Sequence, residues 1–198
     1  MTPEEITLPR RARSAFFNYL SGVKPAVLVG TQNAAGVPNL AIFNSLIHIG
    51  AHPPLLGLLL RPRTVPRETY ANLKATGFYT INHVTTTLIG AAHQTSAKYP
   101  AGESEFAATG LTVERTAHPA PYVQECRIKI GLQYREEYEI AANGTVLIVG
   151  EIVELLLPRG AFDETGFLRH EALDTTACSG LDSYYSVQFQ QRLPYAKP

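Results

Sequence analysis

The chain of 198 residues has no tryptophan, one methionine and two cysteines. Cys126 and Cys178 lie far apart with no Cys-x-x-Cys spacing, which argues against a zinc ribbon or a thioredoxin-like motif; a reduced cytoplasmic protein fits them best. An excess of one charge is missing too. Lys plus Arg number 17 and Asp plus Glu number 17, so there is neither the basic field that attracts nucleic acid nor an acidic tail. No apolar run approaches the ~18 residues of a membrane span, and the start Met-Thr-Pro-Glu-Glu lacks the charged opening and apolar core of a secretion signal. Neither nucleic acid nor membrane is an expected partner.

Reactive motifs are also scarce. No Gly-x-Gly-x-x-Gly follows a strand and no Gly-x-Ser-x-Gly elbow occurs, which removes a Rossmann dinucleotide site and an esterase-type nucleophile. His48 and His52 are four apart, but Ile49-Gly50-Ala51 and Pro53-Pro54 oppose the helix that would make them a metal pair, so no metal is expected. Glu103 and Glu105 sit on a polar turn, and the adjacent Glu136 and Glu137 point to opposite faces of a strand, so neither pair resembles a catalytic carboxylate dyad. No side chain is assigned a catalytic role; a bound cofactor is expected to supply the chemistry.

What is present is a 45% hydrophobic chain, enough for one buried core, and one domain is expected over residues 1–198. Ala12, Phe16, Tyr19 and Leu20 have helical spacing over 10–21, closed by Ser21-Gly22. Residues 25–30 and 39–43 read as a hairpin around the turn chemistry of Asn33 to Gly36, and 55–60 as a buried strand. A helix through Tyr70, Leu73 and Lys74 ends at Gly77, and 78–82 is again a strand. Thr85 or Thr86 could cap a helix through Leu88 and Ala92, with a further turn at 104–108, so a helical insertion is expected near 85–108. Residues 125–139 and 145–157 read as two long strands joined at Asn143-Gly144, placing Cys126 inside the first. Short strands at near-regular spacing favour a barrel or sandwich.

The segment Arg61-Pro-Arg-Thr-Val-Pro-Arg-Glu-Thr-Tyr-Ala-Asn-Leu73 places three arginines at a helix entrance. A cation there costs ~0.3–1 kcal/mol unless an anion joins it. With Thr64 as N-cap and Pro66 in the first turn, Arg61, Arg63, Arg67, Thr69 and exposed amides could hold a phosphate, or the run could be a solvated basic loop. Asn44-Ser45 closes a hydrophobic strand, either offering a ligand hydrogen bonds beside an apolar wall or turning to solvent. His93 ends an apolar helical stretch, as a ligand donor and proton shuttle or as a helix-terminal cation.

Taken in order, Lys24-Pro-Ala-Val-Leu-Val-Gly-Thr31, Gly36-Val-Pro-Asn39, Phe43-Asn-Ser45, Pro53-Pro54 and Arg67-Glu-Thr-Tyr-Ala-Asn72 resemble the flavin reductase-like family of FMN-binding split barrels. The likeness is dense over 24–83 and looser through Ala91 to Pro100, Glu105-Phe106 and the tail Ser179 to Tyr185. The family commonly has Lys-Asp-Thr where this chain has Arg67-Glu68-Thr69, and an acidic residue where His52 precedes Pro53-Pro54.

The resemblance implies a mainly β fold, a six-stranded antiparallel split barrel of Greek-key type with peripheral helices, usually a homodimer with FMN near the subunit interface. It implies that Asn44 and Ser45 contact the ribityl chain or isoalloxazine, that Arg61, Arg67 and Thr69 address the phosphate, that Asn72 braces that loop and that His93 lies near the flavin. NADH or NADPH would be the electron donor and a small molecule or second flavin the acceptor. The alternatives are an FMN electron carrier without a nicotinamide site, a non-catalytic flavin-binding module, and an oxidase of a phosphorylated pyridoxamine. Tyr184 and Tyr185 are expected to serve core packing or dimer contact.

Overall fold

The computed structural model describes residues 2–100 and 103–197. Its fold is mainly β. In chain order the elements are α1 (Arg10–Tyr19), β1 (Lys24–Pro25), β2 (Val27–Gln32), β3 (Pro38–Phe43), β4 (Leu46–Ala51), β5 (Pro54–Leu60), α2 (Glu68–Thr76), β6 (Phe78–His83), α3 (Ile89–Gln94), α4 (Glu105–Thr109), β7 (Val113–Glu114), β8 (Tyr122–Val123), β9 (Lys129–Ile140), β10 (Thr145–Leu156), β11 (Thr176–Ser179) and β12 (Ser183–Ser186).

Seven strands form one antiparallel sheet in the order β3-β2-β6-β9-β10-β5-β4. The six from β3 to β5 are the expected barrel strands, and β4 extends the β5 edge. Both hairpins read from the sequence are present: Thr31 pairs with Asn39 across β2–β3, and Thr145 with Ile140 across β9–β10, where Gly144 turns at φ 72°. Strand β10 bends at two register shifts, Val149/Gly150 and Ile152/Glu154. Gly150 is required at the first of them, because a Cβ there would collide with the Tyr79 ring and hydroxyl.

Strand β2 explains the continuous apolar run near its start, since it is buried on both faces. Val27 and Val29 enter a core with Leu58, Tyr79, Ile81, Leu132 and Ile148, while Ala26 and Leu28 enter a second with Leu40, Ala92, Phe106 and Val123. Each such side chain contributes ~1.5–3 kcal/mol of burial. Helix α2 sends Leu73, with Tyr70 beside it, into the first core; α3 and α4 cover the second. Those helices make up the region expected to be a helical insertion at 85–108, of which residues 101 and 102 lie outside the described residues.

Two expectations, on Thr64 and Cys126, are corrected. Thr64 caps no helix: α2 begins at Glu68 with Arg67 at the N-cap, because Pro66 keeps the residue before it out of helical geometry and the chain turns only after it. Cys126 is not in a strand. Tyr122–Val123 pairs with β7, a turn follows in which the Cys126 amide donates to the Val123 carbonyl at 3.2 Å, and β9 starts only at Lys129. Residues 46–51, assigned no element from sequence, form β4. Helix α1 has the expected spacing but no buried residue.

His83, at the end of β6, is buried with the His170 ring 5.9 Å away. Burial first, and repulsion from His170 second, lower its pKa from 6.5 to about 4. Between these values the unfolded chain binds a proton that the folded chain refuses, so stability is complete at neutral pH and falls as pH drops through that window. The loss is on the order of 3 kcal/mol. Urea midpoints measured from pH 7 to pH 4 should fall steeply for the wild type and less for His83→Gln; equal slopes would contradict this assignment.

Candidate functional site

Strands β3 and β5 do not pair along their length, and the sheet is split between them. Ser45, where the chain passes from β3 into β4, extends the β4–β5 ladder at the end of the split: Ser45 Oγ donates to the Leu59 carbonyl at 2.7 Å, and the Ser45 carbonyl accepts from the Leu59 amide at 3.3 Å. Along this seam lies a cleft of about 1700 Å³. Its walls include Ala41, Ile42, Phe43, Asn44 and Ser45 from one side and Leu59, Leu60 and Arg61 from the other. Arg67 and Thr69 from the start of α2, and His93, Cys178, Asp182 and Tyr184, complete much of the rest.

A buried network fixes where α2 begins. The Asn39 carboxamide donates to Thr31 Oγ1 at 3.0 Å and to Thr69 Oγ1 at 3.3 Å, and Asn72 Nδ2 donates to Thr31 Oγ1 at 3.4 Å. The first turn of the helix is thereby tied to the β2–β3 hairpin. Thr69 accepts from Asn39, which leaves its own O–H to donate, and the residue lines the cleft. Asn72 stands behind Thr69 and does not line the cleft.

The expected basic cluster divides in two. Arg61 and Arg67 line the cleft and, among the described residues, make no side-chain hydrogen bond or ion pair. Arg63 is committed elsewhere: it donates to Tyr70 Oη at 2.9 Å and to Glu139 at 2.8 Å, with its guanidinium 5.2 Å from the Tyr70 ring centre. Tyr70 in turn donates to Glu137 at 2.9 Å. Arg63 thus reaches β9 as well as the cleft wall. Thr64 does not line the cleft; it lies in a shallow side depression with Val65, Pro66 and Ala71.

Asn44 and Ser45 both line the cleft, with their donors already used. Asn44 Nδ2 donates to the Gly180 carbonyl at 2.5 Å and Ser45 Oγ to Leu59, so each offers a ligand an acceptor oxygen. His93 Nδ1 lies 3.0 Å from Tyr184 Oη, with the two rings edge to face at 5.8 Å. Burial, helped by Cys178 and Asp182, pushes Tyr184 up to about 12, so its phenol keeps its proton at neutral pH. Tyr184 Oη and His93 Nδ1 share one hydrogen bond, which leaves Nε2 as the second polar atom of the imidazole. Glu105, half-buried at the cleft, accepts from the Leu40 amide at 3.1 Å and caps the free edge of β3; burial raises its pKa.

Sequence reasoning missed two walls. Tyr19 of α1 donates to Asp182 Oδ1 at 2.6 Å, and this bond is the main cause of the lowered Asp182 pKa. Gly180 lies directly under the Tyr19 ring. No local pattern signals a contact between residues 163 apart. Asn39 was legible as the last residue of Gly36-Val-Pro-Asn39, though its partners were not.

An unpaired pair of guanidinium groups, a pinned helix start and a polar-edged apolar seam thus share one cleft. The chain belongs to the flavin reductase like domain family, which it matches over residues 21–176. It is 48% identical to a flavin reductase candidate with a split barrel domain from Shewanella frigidimarina NCIMB 400, with a TM-score of 0.92 over 96% of this chain and 95% of that one. The split-barrel fold recurs in nitrilotriacetate monooxygenase component B from Bacillus cereus (18% identity, TM-score 0.85, 98% and 97% covered). It recurs also in flavoredoxin of Desulfovibrio vulgaris (Miyazaki F), at 23% identity and a TM-score of 0.76 with 88% and 92% covered. Among the described residues no group of side chains could hold a metal ion, and no helix is long and apolar enough to cross a membrane.

Proposed function

We propose that this chain, as one flavin reductase-like domain, is an FMN-dependent oxidoreductase that takes electrons from NADH or NADPH and passes them to a small-molecule or flavin acceptor. The observation that carries this reading is the pair Arg61 and Arg67, uncompensated by any acid, beside Thr69 at a helix start and opening on the seam. Guanidinium groups bind phosphate through paired, charge-assisted hydrogen bonds, and backbone N–H groups at the start of α2 add to them. Asn44 Oδ1 and Ser45 Oγ accept from ligand hydroxyl or N–H groups, Phe43 and Leu59 supply apolar wall, and His93 adds a polar ring at the cleft. Asn72 braces the phosphate end from behind through Thr31. A bound flavin supplies hydride acceptance and onward electron transfer; the side chains hold and orient it.

A homodimer belongs to the same reading. Ile47, Ile49, Leu59 and Tyr138 are exposed apolar side chains on the β4, β5 and β9 strands, surface that a second copy would cover. A purely monomeric sedimentation profile at micromolar concentration would remove this part. Two free, buried cysteines fit a reducing, cytoplasmic setting.

Arg67→Ala should weaken FMN binding about 10- to 100-fold in a fluorescence titration, the scale of one lost charge-assisted bond. Unchanged affinity removes the phosphate assignment. Anaerobic mixing of the FMN-loaded protein with NADH or NADPH should bleach the flavin. If the flavin stays oxidised with both donors yet is bleached by a reduced partner protein, the chain is an electron carrier; if every reductant fails, it is a flavin-binding module.

A further inference from the structure

The cleft is large. Its volume of about 1700 Å³ exceeds the ~300–1,000 Å³ of an ordinary small-molecule pocket. The flavin reading uses the β3 wall, Arg61 and the start of α2, and leaves the wall made by α1 without a role. Helix α1 lines the cleft with Arg10, Arg11, Ser14, Ala15, Asn18 and Tyr19. Steps of one, three and four residues put these six on one stripe of the helix. The stripe is basic at one end and polar along its length, and no residue of α1 is buried, so the helix is not held there by an apolar face.

Two contacts fix its position. Tyr19 donates to Asp182, and its ring covers Gly180, whose carbonyl holds the Asn44 side chain. The C-terminal end of α1 is therefore registered against the same loop that holds the flavin seam. Arg10 and Arg11 lie roughly 13 Å farther along the helix axis, at ~1.5 Å per residue. Neither makes a side-chain hydrogen bond or ion pair among the described residues, and nor does Lys98, a third cation on the cleft wall. Arg13, by contrast, is occupied with the Pro3 carbonyl at 2.7 Å and the Phe17 ring. Both α1 and Asp182 lie outside the matched residues 21–176.

We infer that the α1 face is the binding subsite for the electron donor, with Arg10 and Arg11, supported by Lys98, holding phosphate groups of a nicotinamide nucleotide whose ring end lies toward the Tyr19 end and the seam. This rests on the flavin reading for the identity of the ligand. The shared chemistry is a nucleotide phosphate, which is either the diphosphate common to NADH and NADPH or the 2′-phosphate of NADPH alone.

The test compares the wild type with an Arg10→Ala/Arg11→Ala variant, both substitutions lying on a helix with no buried residue. In the FMN-loaded proteins, the donor concentration that half-saturates anaerobic flavin reduction should rise about 10-fold or more in the variant, while FMN affinity stays within about 2-fold. A rise for both donors assigns the diphosphate, and a rise for NADPH alone assigns the 2′-phosphate. Unchanged half-saturation for both donors with FMN still bound overturns the subsite and leaves the flavin reading standing. Weakened FMN binding with unchanged donor dependence also overturns it, by assigning these arginines to the flavin. Should the wild type bind no FMN, or bind it without reduction by either donor, calorimetric titration of the flavin-free protein with ADP and with 2′,5′-ADP decides: binding lost in the variant supports the subsite, and no binding to the wild type overturns it.

Discussion

The buried carboxamide of Asn39 holds together the part of the molecule on which everything else depends. Its two N–H groups reach Thr31 on β2 and Thr69 on α2, so one side chain on β3 ties a hairpin to a helix start. Removing it would take one hydrogen bond from Thr31, which keeps Asn72, and one from Thr69, at ~0.5–1.5 kcal/mol for each bond lost. It would also release the first turn of α2, where Arg67 stands at the N-cap. The proposed anion site is thus a product of packing as much as of charge.

A second constraint is the sheet that does not close. Ser45, between β3 and β4, is held to β5, and Asn44 is held by a carbonyl from the turn between β11 and β12. The cleft is the space these two bonds preserve. Because Tyr19 grips the same turn, the N-terminal helix, the β11–β12 turn and the seam form one mechanical unit contributed by distant parts of the chain. Side chains at the seam spend their donors on the protein itself and present acceptors to the cleft, while the arginines present only donors. That polarity suits an elongated ligand with an anionic end and a hydroxyl- and N–H-bearing middle.

The fold was largely legible because its cues are local. Asn143-Gly144 fixed the β9–β10 hairpin, and Gly77, at φ 76° with its amide donating to Leu73 at 2.8 Å, ended α2 as expected. Strand β4 was not legible, since Ile47 and Ile49 face outward, His48 and Gly50 interrupt the run, and a strand added at a sheet edge needs no strict alternation. The start of α2 was misplaced because a Thr-x-Pro pattern mimics a cap, while the stabilising bonds come from Asn39 on another element. Of the site residues, Arg61, Arg67, Thr69, Asn44, Ser45 and His93 do share one cleft. Arg63 turned out to be paired with Glu139 and Tyr70, a choice set by β9 strand register that no linear pattern reveals. The arginines of α1 were unreadable for the same reason, since only a folded chain brings residue 10 to residue 67.

In the proposed function, the seam and the α2 start together hold one flavin per chain. The most direct measurement is the visible absorption spectrum of the purified protein after incubation with excess FMN and desalting. Retained flavin bands are expected at close to one FMN per chain, lost when Arg61 and Arg67 are both replaced by alanine. A colourless wild-type protein, or a double variant that retains FMN as well as the wild type, would contradict it.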